Sequence, residues 1–282
     1  MPYAIVIHAF PKTDLPIIHA QGKVLHGLFY ELLQKASTAK GDEVHDTSGL
    51  KPFSTALLLT DRQRRAEGIR VGEELKFRFA FLDDSIYPLL SRYFLTTPDL
   101  TLELVQTELT VARILTTPHS DEAWAGYSSF EDLYKQASDE DKRFSFHFAT
   151  PTHFKRGGGP TYPDLMVPLP LPDLLFGSLL RNWNQFSALP FSEEALLKDI
   201  FAHNLEMTTH RISSQQARLV FQKADGTYRT TAFPGFIGKC SFRLLEMHDA
   251  SVVKQLNALA DLAFFSGLGA RTPMGFGVAC RL

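Results

Sequence analysis

The sequence predicts an α+β protein made of two ferredoxin-like (RRM-like) βαββαβ units in tandem, with a glycine-rich loop near the C-terminus. Three observations carry this reading. Short runs alternate apolar and polar residues with a period of two, the mark of strands with one buried face. Between them lie stretches whose apolar residues recur at three and four, the mark of amphipathic helices. The two patterns then follow one another in the order βαββαβ, and that order occurs twice. With 282 residues and only two cysteines, the chain has the length of two modest domains and carries neither a disulfide framework nor a cysteine-rich zinc module.

Residues 3–10 form an apolar run of strand length. In 22–36, Val24, Leu25, Leu28, Phe29, Leu32 and Leu33 recur at helical spacing, which predicts a helix with Tyr30 facing out, opposite the Leu28/Leu32 stripe. Pro52–Thr60 reads as a second strand. Leu75, Phe77, Phe79 and Phe81 alternate with Lys76, Arg78 and Ala80, which predicts a third. A shorter helix around 85–95 and a strand over 101–115 complete the first unit, residues 1–118. Residues 119–142, acidic in balance, read as a connector with one short helix. The second unit, 143–282, opens with Phe144, Phe146 and Phe148 alternating with Ser145, His147 and Ala149, and Gly157-Gly158-Gly159-Pro160 then breaks the chain. Apolar positions from Leu174 to Phe201 predict two consecutive helices. Short strands follow near 206–212, 217–223, 227–233 and 236–246, with Asp225-Gly226 as a hairpin turn. A helix over 250–265 and a last strand over 274–281 end the unit.

The net charge of −2 hides an asymmetry: residues 1–142 hold 15 Lys/Arg against 21 Asp/Glu, and residues 143–282 hold 14 against 10. Within 207–245, six basic side chains (Arg211, Arg218, Lys223, Arg229, Lys239, Arg243) meet one acid, Asp225. Such a balance suits a local polyanion site, although charges that protect exposed strand edges would look the same. Arg62, Arg64, Arg65 and Arg70 form a second cluster, diluted by Asp61 and Glu67. The opening MPYAIVIHAF has no basic leader, and no apolar run nears the ~20 residues of a membrane span. A soluble, cytoplasmic protein without a membrane partner is therefore expected. No His-Glu-x-x-His occurs and Cys240 and Cys280 lack ligand spacing, so no metal site and no cofactor is expected. His8, His147 and His153 sit in or beside strands and read as structural.

Four glycines fall within Gly267-Leu268-Gly269-Ala270-Arg271-Thr272-Pro273-Met274-Gly275-Phe276-Gly277. This loop follows a helix and opens a strand, the reverse of a dinucleotide fingerprint, and it lacks the Gly-Lys-Ser/Thr end of a phosphate loop. What remains is a Cβ-poor loop that lets another backbone approach, with Arg271 offering a phosphate contact; a merely tight turn would use the same glycines. The segment FFSGLGARTPMGFGVACRL resembles the glycine-rich loop of the RAMP superfamily of CRISPR-associated RNA-binding proteins. Two more segments, His45–Phe53 (HDTSGLKPF) and Phe148–Phe154 (FATPTHF), resemble one branch of it, the endoribonucleases that cut CRISPR repeat transcripts. Together with the doubled fold, the resemblance spans essentially the whole chain. It implies a metal-independent endoribonuclease that binds CRISPR repeat RNA and cuts the precursor transcript into guide RNAs by 2′-hydroxyl attack, leaving a 5′-hydroxyl and a 2′,3′-cyclic phosphate. The alternative within the same superfamily is a non-catalytic subunit that holds guide RNA in an effector complex, with other complex subunits as partners. Monomer and homodimer are both compatible with the sequence.

Such a cleavage needs a base for the 2′-hydroxyl, an acid for the 5′-oxygen and positive charge near the phosphorane. Histidine fits either proton role and lysine or arginine the electrostatic one. In the resembled family a Tyr, a His and a Lys of comparable placement form the cutting site; carried over, they are Tyr30, His45 and Lys51. His45 lies in a polar stretch between the first helix and the second strand, where an ordinary exposed loop histidine flanked by Asp42, Glu43 and Asp46 would also fit. His26, four residues before Tyr30 on the same helix face, is the rival imidazole. The basic hairpin (Arg211, Arg218, Lys223, Arg229, Lys239) and the loop residues Gly267, Gly269, Arg271, Gly275 and Gly277 are expected to hold the RNA backbone.

Overall fold

A computed structural model of the chain describes residues 1–282 except 17–21, 67, 105–106, 118–121, 158–162, 223–227 and 246–247. The chain forms two compact units. The first comprises Met1–Tyr127, Arg218–Phe233 and Pro273–Gly275; the second comprises Ser128–Ala217, Pro234–Thr272 and Phe276–Leu282.

The first unit runs β1 (Tyr3–Pro11), β2 (Leu15–Pro16), α1 (Lys23–Ala36), α2 (Thr38–Asp46), β3 (Phe53–Leu57), α3 (Asp61–Ala66), β4 (Gly68–Ile69), β5 (Leu75–Phe81), α4 (Ile86–Thr96), β6 (Thr101–Leu104), β7 (Thr107–Leu115) and β8 (Gly126–Tyr127). Its main sheet has the order β3-β5-β1-β7-β6, with antiparallel neighbours and β8 paired to the start of β1. The four strands of the βαββαβ pattern (β1, β3, β5, β7) thus lie in the order 2-3-1-4, that of a ferredoxin-like sheet. Period-two alternation decides the faces. Ile5, Ile7, Phe53, Leu57, Phe77, Phe79 and Phe81 build one apolar core with Leu25, Leu28, Phe29, Leu32 and Leu33 of α1 and Ile86 and Leu90 of α4. The intervening positions carry polar groups, of which His8 and Arg78 are buried and Lys76 half-buried. His8 Nδ1 lies 2.8 Å from Glu74, Lys76 Nζ donates to Glu122 at 2.7 Å, and Arg78 Nε donates to the Trp124 carbonyl at 2.9 Å.

Two expectations are corrected here. The stretch 101–115 is not one strand: β6 folds back on β7, with Leu102 opposite Leu109. The connecting Val105-Gln106 offer no Gly, Asn or Pro to signal a reversal. The polar stretch after the first helix is not a loop either, because α2 occupies it. Ser37 caps α2 by accepting from the Lys40 N–H at 3.4 Å. Only Gly41 and Val44 of that helix are buried, too few apolar contacts to show as a periodicity.

The second unit runs α5 (Phe130–Gln136), β9 (Arg143–Thr152), β10 (Phe154–Arg156), β11 (Leu165–Val167), α6 (Pro172–Phe186), α7 (Glu194–His203), β12 (Leu205–Gln222), β13 (Tyr228–Leu244), α8 (Ala250–Ser266) and β14 (Ala279–Arg281). Its sheet order, β12-β13-β9-β14, repeats 2-3-1-4. Phe144, Phe146, Phe148 and Phe242 point to the helices, where Phe146 lies 5.9 Å from Phe176 of α6. The four short strands expected between 206 and 246 are two long ones, of 18 and 17 residues. Beyond Ala217 on β12, and as far as Phe233 on β13, that hairpin belongs to the first unit. Among the described residues no helix is long and apolar enough to cross a membrane.

Candidate active site

The four candidate residues of the first unit meet in one place. Tyr30, expected to face out of α1, is instead buried at 9% exposure, because α2 packs over that side of the helix. Its ring lies edge-on to two imidazoles, 4.7 Å from His26 and 5.4 Å from His45. Its hydroxyl donates to the Val44 carbonyl of α2 at 3.2 Å. His45 is on the last turn of α2 rather than in a loop; its side chain is 70% exposed, and its Nδ1 lies 3.2 Å from Asp46. A proton on Nδ1 held by that carboxylate leaves Nε2 for a substrate.

Lys51 closes the arrangement. Its ammonium donates to the carbonyls of Val44 (3.0 Å), His45 (2.8 Å) and Thr47 (2.7 Å). An ammonium has three protons, and three carbonyls at the negative end of α2 take them. The residue that the resemblance assigns to charge stabilisation at the phosphorane is therefore also the clamp on the helix end that carries His45. Burial pushes the His26 imidazole down to about 4, with the nearby charges of Lys51, His45 and Lys23 adding to it, so His26 is neutral at pH 7.

In the second unit the glycine-rich loop meets the Phe148–Phe154 segment, two stretches far apart in sequence. Ala270 N–H donates to His153 O (2.8 Å), Gly277 N–H to Pro151 O (3.1 Å) and Val278 N–H to Thr150 Oγ1 (3.0 Å). A Cβ on Gly269, at φ +87°, would fall 2.3 Å from His153 O, and one on Gly277, at φ +72°, 2.0 Å from Leu268 O. The backbone that these two glycines admit is the protein's own. Gly267 and Gly275 also have positive φ, as does Arg271, whose guanidinium is half-buried. His153 is buried against Phe276, and that burial, with the Arg271 charge, pushes it down to about 4. Arg211, Arg218, Arg229 and Lys239 are exposed along the long hairpin. Lys223 and the Asp225-Gly226 turn lie outside the described residues. In the second arginine cluster, Arg62 pairs with Glu73 and Arg64 donates to the Leu59 carbonyl. Sequence reasoning missed α2 and the Lys51 clamp; Ser37 as an N-cap was the one available signal.

Two family models cover the chain almost end to end: "CRISPR Cas6 N-terminal domain" matches residues 1–135 and "CRISPR-associated endoribonuclease Cas6" residues 146–279. A solved Cas6 (TTHB231) product complex is 32% identical over 100% of both chains, with a TM-score of 0.82. Thermus thermophilus Cas6 (TTHB231) is 29% identical over 100% of this chain and 98% of that one, with a TM-score of 0.72. A Cas6 (TTHA0078) product complex is 24% identical over 100% and 99%, with a TM-score of 0.73. No curated protein sequence matches. Both halves of the chain, matched in order and superposable on a relative along their full length, make this protein a member of the Cas6 family of CRISPR-associated endoribonucleases.

Proposed function

We propose that the chain binds CRISPR repeat RNA and cuts the precursor transcript without a metal ion, by attack of a ribose 2′-hydroxyl on the adjacent phosphorus. The observation that carries this reading is the cluster of His26, Tyr30, His45 and Lys51. The bond from the 2′-oxygen to phosphorus forms while the bond to the 5′-oxygen breaks. One imidazole accepts the 2′-hydroxyl proton and another group returns a proton to the 5′-oxygen. The products are a 2′,3′-cyclic phosphate and a 5′-hydroxyl. His26, neutral at pH 7, is competent as the base, and the exposed His45 beside Asp46 supplies the complementary transfer. Tyr30 holds the two rings apart and upright. Lys51 fixes positive charge beside them, where negative charge develops on the phosphorane. Arg271 with the glycine-rich loop and the basic hairpin would hold the RNA backbone. The TTHB231 relative, solved as a Cas6 product complex and 32% identical over the full length, supports the reading of this chain as a cutting enzyme.

The test is cleavage of a labelled repeat RNA in EDTA, beside the same RNA carrying a 2′-deoxyribose at the scissile position. Only the all-ribose RNA should be cut, and its 5′ fragment should end in a cyclic phosphate. Cleavage of the deoxy substrate, or none until magnesium is added, would overturn the reading.

A further inference from the structure

Thr55 sits in the middle of β3, fully buried, in an otherwise apolar layer. It shares a sheet face with Phe53 and Leu57 and lies opposite Phe79 in the register. Valine has the same shape and would suit that layer without a polar group to satisfy. The hydroxyl instead donates to the carbonyl of Pro273 at 2.9 Å. Proline has no N–H, so this carbonyl is its one main-chain handle. Pro273–Gly275 is the tip of the glycine-rich loop, and it belongs to the first unit. A second observation fixes the same tip: a Cβ on Gly275 would lie 3.7 Å from the Leu25 side chain, so the loop backbone passes beside the first turn of α1. Leu25 precedes His26, and the His26 ring lies 5.6 Å from Phe53, two residues from Thr55 on the same face. β3 is the edge strand of its sheet, yet all five of its residues are buried.

We propose that Thr55 is a positioning residue: its hydroxyl latches the tip of the glycine-rich loop beside the start of α1, and so sets where the RNA strand held by the loop meets the imidazoles. This inference rests on the reading of His26 and His45 as proton-transfer groups and of the loop as an RNA-holding element. A latch of this kind leaves the protons and charges of the site in place and changes only distance. Its loss should therefore appear in the rate of the bound complex rather than in binding.

The experiment compares Thr55→Val, Thr55→Ser and Thr55→Ala with the unsubstituted protein in single-turnover cleavage of repeat RNA at saturating protein. Affinity for the 2′-deoxy repeat and melting temperature are measured alongside. Thr55→Val is expected to slow the saturating rate roughly 10–10²-fold, the scale of a small misplacement of reacting groups, with affinity changed by no more than about twofold. Thr55→Ser keeps the hydroxyl and Thr55→Ala does not, while both lose the methyl group, so this pair isolates the latch even if Thr55→Val folds poorly. Ser fast and Ala slow supports the proposal. Equal rates for Ser and Ala, a wild-type rate in a folded Thr55→Val, or a loss confined to affinity overturns it. The chemistry is scored separately: wild-type rates in both His26→Ala and His45→Ala would sink the proton-transfer reading whatever the Thr55 variants do.

Discussion

An imidazole transfers protons usefully only when its protonation state and its ring direction are both set, and the two here are set by different means. Burial and neighbouring cations keep His26 neutral, while His45 is exposed and takes its direction from the end of α2, the edge of Tyr30 and the carboxylate of Asp46. As candidates, the residue types were legible from sequence because the chemistry restricts them to a few. Their directions were not: a stripe of leucines places Tyr30 on the far side of α1, and only the packing of α2 turns that side into an interior. His45→Ala is expected to slow saturating single-turnover cleavage by ~10²–10⁴, the usual worth of a general acid or base, with affinity for the deoxy repeat nearly unchanged. The pH dependence separates the two rings. A base works deprotonated, so a His26 lowered to about 4 stays active through pH 7 and loses its role only as pH falls through about 4. The wild-type rate should show that acid limb, and His26→Ala should be slow without it. A His26→Ala enzyme that cuts at the wild-type rate takes that ring out of the reaction.

The elements that sequence reading placed well are those with long, one-sided apolar patterns: β1, α1, β5, β9 and α8. Those it missed or miscounted lack such a pattern. Helix α2 buries two residues, the β6–β7 reversal has no turn residue, and the long hairpin continues as strand through polar stretches such as Ser213-Ser214-Gln215-Gln216. The glycine-rich loop was located correctly as a feature, but composition could not say which backbone its glycines make room for. At Gly269 and Gly277 the answer is the backbone of this same unit. Gly277→Ala would combine a left-handed φ with a Cβ placed 2.0 Å from Leu268 O. The expected cost is about 1–3 kcal/mol or more, read as a lower urea midpoint at unchanged slope. A midpoint equal to wild type would mean that the loop relaxes freely and that its glycines serve something other than packing.

At the scale of the molecule, duplication was the most legible property, because two periodicities in one order, repeated, leave few other folds. The charge distribution was legible only in part. A chain with net charge −2 gathers exposed Arg211, Arg218, Arg229 and Lys239 along one hairpin, but the sequence could not show that this hairpin is continuous, nor that its distal residues, from Arg218, belong to the first unit with His26 and His45. Edge protection and RNA binding make different demands on these side chains. Protection of an edge needs charge of either kind and is indifferent to RNA. Phosphate contact requires that each cation release counterions, so the logarithm of affinity falls with the logarithm of salt by ~0.7–0.9 per contact. Replacing Arg218 and Arg229 together with alanine should therefore weaken repeat binding at low salt and reduce that slope by ~1.4–1.8. If the two guanidiniums serve only the RNA backbone, the saturating cleavage rate should hold. An unchanged slope would assign the two arginines to the edge, and a lost saturating rate would assign them to the chemistry; only the slope change with intact rate places them on the backbone of the RNA.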